Sequence, residues 1–222
     1  MLSPVIISME VAIPATFITF LLGLLAAWKT VRLRRVKGIL DGVFTLPMVL
    51  PPTVVGFFLL LIFGKNGLFG TWLSEIGLPV VFSIRGAVIA AAVVSFPLMY
   101  RTARGAFESM DRELILAARV CGASETRIFW QIVLPTCRPG IASGTILAFT
   151  RALGEFGATS MLAGNIPKRT QTMSLAIYSA VQGNDRESAY AWVIVITLIS
   201  FTTLYLMNLF ESGGFKRKKD PS

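Results

Sequence analysis

Two ionisable side chains four residues apart, Arg151 and Glu155, stand inside a long apolar stretch. At that spacing a helix presents both on one side, where they can pair. Counting from Pro139 at 1.5 Å per residue, they lie about 18 and 24 Å along a helix crossing a ~30 Å hydrocarbon core. A charge at mid-bilayer costs about 2.5–3.5 kcal/mol on insertion scales, so neither should face lipid. Two readings stay open: a buried ion pair joining helices, or a polar route or gate, because intramembrane charges tend to mark ion pathways. Gly154 and Gly157 flank Glu155 and permit close helix approach, and Thr159 closes the same run. Arg151 would favour a dianion in a low-dielectric cavity, while Glu155 one turn away would cancel much of that potential. If pairing is all that matters, exchanging the two residues should spare function better than Glu155→Gln.

Other chemistries find little support. The chain has no His, so imidazole ligands and His-based acid/base steps are absent, and no metal site is expected. Its two cysteines, Cys121 and Cys137, read as free thiols in a reducing compartment. No Gly-rich phosphate loop followed by Lys and Ser/Thr occurs, so ATP would have to bind another chain. No pair of carboxylates shares an apolar span, which argues against a membrane-embedded enzyme. The net charge of +9 falls in clusters beside apolar spans, which suits orientation in a bilayer better than nucleic-acid binding.

The elements that must position Arg151 and Glu155 are membrane helices. With 222 residues, 54% hydrophobic and 15% charged, the chain reads as an all-α integral membrane protein in contact with lipid. Spans are expected at about 3–28, 39–63, 85–104, 139–163 and 190–210, in one domain over 1–212, followed by a basic cytoplasmic tail, 213–222. No Lys or Arg precedes the first apolar run, so it reads as a span and not a cleaved signal. Of 21 Lys and Arg, 15 fall in three segments that this layout places inside, which puts the N-terminus outside and the C-terminus in the cytoplasm. Pro47, Pro51 and Pro52 interrupt the second span and cannot share one straight helix. The break either borders a translocation route or is a packing kink; Pro51 and Pro52 are its candidate pathway residues.

Between the third and fourth spans the chain turns polar over 108–138. Leu114, Ala117, Ala118 and Cys121 share a helical face, with Asp111 as N-cap and Gly122 as the stop. A second short helix starts behind Ser124, carries Ile128, Phe129, Ile132 and Val133 on one side, and should end at Pro135. These apolar faces are too small to make a core, so something else must cover them.

The run Ala117-Ala118-x-x-x-Gly122-Ala123, then Ile132-x-Leu134-Pro135-x-x-x-Pro139-Gly140-Ile141, resembles the cytoplasmic coupling loop of type I ATP-binding cassette (ABC) importer permeases. The resemblance implies the fold of a MetI-like transmembrane domain. It also implies that Leu114, Ala117, Ala118, Gly122, Ala123, Ile128, Leu134, Pro135, Pro139 and Gly140 form an ATPase-coupling loop. One departure is Leu116, where the family usually has Glu.

A second resemblance is narrower. Arg151-Ala-Leu-Gly-Glu-Phe-Gly-Ala-Thr159, Leu46-Pro-x-Val-Leu-Pro-Pro-Thr-Val-Val-Gly56 and Ser95-Phe-Pro-Leu-Met99 look like the permeases of molybdate importers. Sulfate/thiosulfate and tungstate permeases are similar more weakly and make the alternative. The resemblance implies a bacterial inner-membrane permease working as a homodimer, with two copies of an ATP-binding subunit and an extracytoplasmic molybdate-binding protein. ATP and Mg would sit on the partner subunit, and this chain would bind no cofactor. A passive anion channel is the competing class, and it would conduct without any partner.

Overall fold

The computed structural model describes residues 3–33 and 36–216. Arg34 and Arg35 of the first basic cluster, and Arg217, Lys218 and Lys219 of the basic tail, lie outside the described residues.

α1 (Ser3–Arg32) is thirty residues long and packs along α5 (Ile84–Glu108). Their contact is made largely of small side chains: Ala12, Ala15, Ala27, Ala87, Ala91 and Ala103 are all fully buried. In lipid, where apolar burial drives little, small residues let helix backbones approach and gain packing contacts. Thr19 adds a hydroxyl bridge to Ser95 at 3.2 Å. Ser83 caps α5 by accepting the Gly86 N–H at 3.3 Å, and Pro97 sits buried inside that helix.

The second apolar stretch forms two helices, α2 (Lys37–Val49) and α3 (Pro52–Phe63), which meet at 109°. Pro47 stays within α2, so only the Pro51-Pro52 pair breaks the chain. Leu50 and Pro51 take extended backbone (ψ 143° and 136°), as residues before proline prefer, and Pro52 opens α3 where its missing N–H costs nothing. α4 (Gly70–Glu75) caps the loop that follows.

α6 (Arg112–Val120) begins at Asp111, whose Oδ1 accepts the Glu113 N–H at 2.9 Å. It ends at Gly122, which has φ +77°. The Ala123 N–H reaches Ala118 O at 3.0 Å and the Gly122 N–H reaches Arg119 O at 2.9 Å, closing the helix in a Schellman turn. Ser124 accepts the Arg127 N–H at 3.3 Å and starts α7 (Glu125–Ile128).

Here the structure corrects the expected stop at Pro135. α7 passes through a π-helical turn, Phe129–Val133, into α8 (Leu134–Thr136), so the helix continues beyond the proline. The Leu134 N–H bonds to Phe129 O, five residues back, which widens the turn just before the proline ring. The Cys137 N–H still reaches Val133 O at 2.9 Å. The chain turns at Cys137, and α9 (Arg138–Leu153) leaves at 74° to the preceding helix.

α9 stops at Gly154, and a new helix, α10 (Gly157–Ala163), starts three residues later, so the expected fourth span is broken at Glu155. α11 (Met173–Gln182) is short, and its first N–H is taken by Ser8 of α1 at 2.8 Å. α12 (Arg186–Lys216) lies on the outside of the bundle, with Ile194, Leu198, Phe201 and Tyr205 exposed as a lipid-facing helix requires. Among the described residues, α1, α5 and the Arg186–Leu206 part of α12 are each long and apolar enough to cross a membrane. The bent pairs Lys37–Val49 with Pro52–Phe63 and Glu125–Thr136 with Arg138–Leu153 raise the number to as many as five.

Candidate functional site: a clamped helix pair and a broken span

α6 turns one side inward. Ile115 and Ala118 pack on the core formed by Leu24, Ala27, Phe107, Ile128 and Val133. At 100° per residue, Leu116, Val120, Ala117, Cys121 and Leu114 then fall on one contiguous arc pointing away, with Glu113 among them. Every one of these five is exposed, Val120 at 89%. Of the expected face, Leu114, Ala117 and Cys121 are therefore free, while Ala118 belongs to the inward side. Ile128 is fully buried, Ala123 and Leu134 pack on the same core, Gly122 is exposed, and Pro135, Pro139 and Gly140 follow at the base of α9. Leu116 and Val120 were missed from sequence because the inward side of the helix was assigned without knowing that Ile115 claims it.

The helix pair is fastened to the end of α1. Glu125 Oε1 accepts from Arg119 Nε at 2.7 Å, and its other oxygen pairs with Arg32. Arg32 lies 4.0 Å from the centre of the Trp28 ring, which in turn meets Phe129 at 5.0 Å and Phe107 at 5.5 Å between ring centroids. Hydrogen bonding from Arg119, with added attraction from Arg32, holds the Glu125 carboxyl below the usual carboxylate range. This clamp was not read from the sequence, although Trp28 and Arg32 at i, i+4 carry a signal for it.

At the same end of the bundle, Asp41 of α2 pairs with Arg104 and accepts a hydrogen bond from the Tyr100 hydroxyl. Lys37 meets Glu108 at 2.6 Å. Tyr100, Arg104 and Glu108 repeat at i, i+4 and i+8 on α5, a polar stripe legible in the sequence although its partner α2 is not.

The broken span holds the expected ion pair. Arg151 Nη1 lies 2.6 Å from Glu155 Oε2, with the Arg151 side chain 32% exposed and that of Glu155 1%. The contact is close without being aligned as a hydrogen bond. Glu155 Oε1 accepts the Ala158 N–H at 2.8 Å and so caps the first turn of α10. One turn on, the Thr159 hydroxyl is buried with no partner in hydrogen-bond reach. α10 sits tightly on α3: a Cβ on Gly157 would come within 3.0 Å of Pro52 Cβ, and one on Gly56 within 2.8 Å of Ala158 Cα. The two breaks, one at Pro51-Pro52 and one at Gly154–Phe156, thus meet, and Pro51 and Gly154 are both exposed there.

The chain is thus a bundle of bent and broken membrane helices with a clamped helix pair at one end. The chain belongs to the family of binding-protein-dependent transport system inner membrane components, whose description matches residues 19–213. The molybdenum transport system permease protein ModB of Escherichia coli (strain K12) is 45% identical over 87% of this chain and 86% of its own. The sulfate transport system permease protein CysT of the same strain is 35% identical over 93% of this chain and 75% of its own. A chain of the inward-facing MetNI methionine ABC transporter superposes with a TM-score of 0.74 over 95% of this chain and 94% of that one. At 13% identity, that likeness shows the ABC importer fold alone.

Proposed function

We propose that this chain is the permease subunit of an ATP-driven molybdate importer and works as a homodimer. Two ATP-binding subunits, which hold the ATP and Mg, would receive the α6–α8 helices, and an external molybdate-binding protein would deliver the oxyanion. In this reading the N-terminus lies outside and the tail in the cytoplasm. The observation that carries it is the largely apolar arc of Leu114, Leu116, Ala117, Val120 and Cys121 around Glu113, exposed on a helix that is itself clamped to α1. Burying a Leu or Val side chain favours association by about 1.5–3 kcal/mol, so the arc offers a partner a strong hold, and the clamp gives its movement a path into the bundle.

Native Cys121 supplies the test. A cysteine-to-amine crosslinker on the assembled complex should join this chain to the ATP-binding subunit, and products with lipid alone would overturn the reading. The oxyanion is a separate matter, because tetrahedral dianions differ little in charge and selection can lie in the delivering protein. The sulfate permease relative makes sulfate the runner-up, with tungstate beside it. Calorimetric titration of the cognate binding protein should give tightest binding for molybdate.

A further inference from the structure

The ion pair of the broken span joins two helices, α9 and α10. Arg151 is on the last turn of α9, which packs on α5 and α1, whereas Glu155 is anchored to α10 through the Ala158 N–H. α10 also rests on α5, but its tightest approaches are to α3, Gly157 to Pro52 and Gly56 to Ala158, each close enough that no Cβ fits without a shift. Between them lies only the non-helical Gly154–Phe156 segment. The two partners are also unequal. Glu155 is buried and tied to backbone, while Arg151 is one-third exposed and held by a close contact that is not a directed hydrogen bond.

We propose that Glu155 is a positioning residue that holds Arg151 in a displaceable ion pair, and that the transported dianion takes the carboxylate's place on the guanidinium when the junction between α9 and α10 opens. The inference rests on the importer reading above and gives its pathway a residue that meets substrate. At rest the pair is neutral, so the chain does not trap anions, which a route must release as readily as it admits them. When the pair parts, Arg151 presents a planar set of donors suited to a tetrahedral oxyanion. The Thr159 hydroxyl, buried one turn from Glu155 and without a partner, is a further donor at the same junction.

The test is equilibrium binding of radiolabelled molybdate and sulfate to the permease–ATPase complex in nanodiscs, with no binding protein present. Wild type should bind neither appreciably. Glu155→Gln, which keeps an acceptor for the Ala158 N–H but frees Arg151, should gain anion binding by about tenfold or more, and Arg151→Gln/Glu155→Gln should lose that gain. Glu155→Asp, measured alongside, should stay near wild type. No gain in Glu155→Gln, or an equal gain in the double variant, would overturn the proposal. Should Glu155→Gln fail to assemble, the same comparison runs on Glu155→Ser against Arg151→Gln/Glu155→Ser: Ser keeps a capping oxygen and frees Arg151, so anion binding should rise in the first and not in the second, and no gain, or an equal gain in both, would overturn the proposal. ATP-dependent uptake by the wild-type complex reports separately on the importer reading, and the choice between molybdate and sulfate as the bound ion reports on the substrate.

Discussion

Glu155 changes the expectation drawn from pairing alone. Were the ion pair its only role, exchanging Arg151 and Glu155 would keep the pair. The structure gives Glu155 a second duty that Arg cannot perform, since a guanidinium has no acceptor for the Ala158 N–H. A buried N–H left without a partner costs about 1–3 kcal/mol. The combined Arg151→Glu/Glu155→Arg variant should therefore transport no better than Glu155→Gln, measured as initial uptake rate; clear recovery in the exchange would mean the cap is unimportant. Gly56 makes a second test at this scale. A methyl there meets Ala158 Cα at 2.8 Å, backbone that cannot turn aside, whereas Gly42 has nothing within 4 Å. Overpacking of this kind costs about 1–3 kcal/mol. Gly56→Ala should lower the thermal unfolding temperature of the purified complex, and Gly42→Ala should leave it nearly unchanged.

The helix pair is both exposed and fastened. A second carboxylate in its outward arc, at an apolar position beside Glu113, should cost the partner contact without disturbing the bundle, because Val120 touches little of its own chain. Val120→Asp should reduce co-purification of the ATP-binding subunit by about tenfold or more, as expected if ~1.5–3 kcal/mol of burial is replaced by a desolvation cost. The Glu125 clamp should behave differently. Its members are about half exposed, so the pairs add little stability; their use is to keep the helix pair aligned with α1. Glu125→Gln should leave ATP hydrolysis near normal while lowering the amount of substrate moved per ATP. The pH sign follows from the depressed Glu125 pKa. A carboxyl held below its unfolded value contributes above that value and loses its contribution as pH falls through the folded one. Coupling between about pH 6 and 8 should therefore be flat, as the ordinary Glu pKa is already near 4.3. A fall across that range in wild type, absent in Glu125→Gln, would show the clamp titrating where it should not.

Across the whole molecule, what the sequence made legible was what depends on local chemistry. Apolar length found the helices, Asp111, Gly122 and Ser124 marked the ends of the short helix pair, and the i, i+4 spacing found the Arg151–Glu155 pair. What depends on neighbours was not legible. Pro135 was read as a stop because nothing in the sequence shows a π-turn opening ahead of it. The break at Glu155 hides in an unbroken apolar run, since a carboxylate that caps the next helix looks the same as one that sits inside a helix. The Asp41–Tyr100 and Glu125–Arg32 contacts join positions 59 and 93 residues apart; periodicity puts one side of each on a common helix face but does not name its partner. These long-range contacts tie α2, α5, α1 and the helix pair together at one end of the bundle, while the α3–α10 contact lies at the two breaks. In the proposed importer, movement of the helix pair would be delivered to α1 and α5, on which α9 rests, and the junction at Arg151 is where α9 meets α10.

The most direct test of that chain of contacts is uptake into proteoliposomes that hold this chain with its cognate ATP-binding subunit, supplied with binding protein and molybdate. The account predicts accumulation only when ATP and both partners are present, and its loss in Val120→Asp although the permease remains folded. Flux through this chain alone, or full ATP-driven uptake in Val120→Asp, would contradict it.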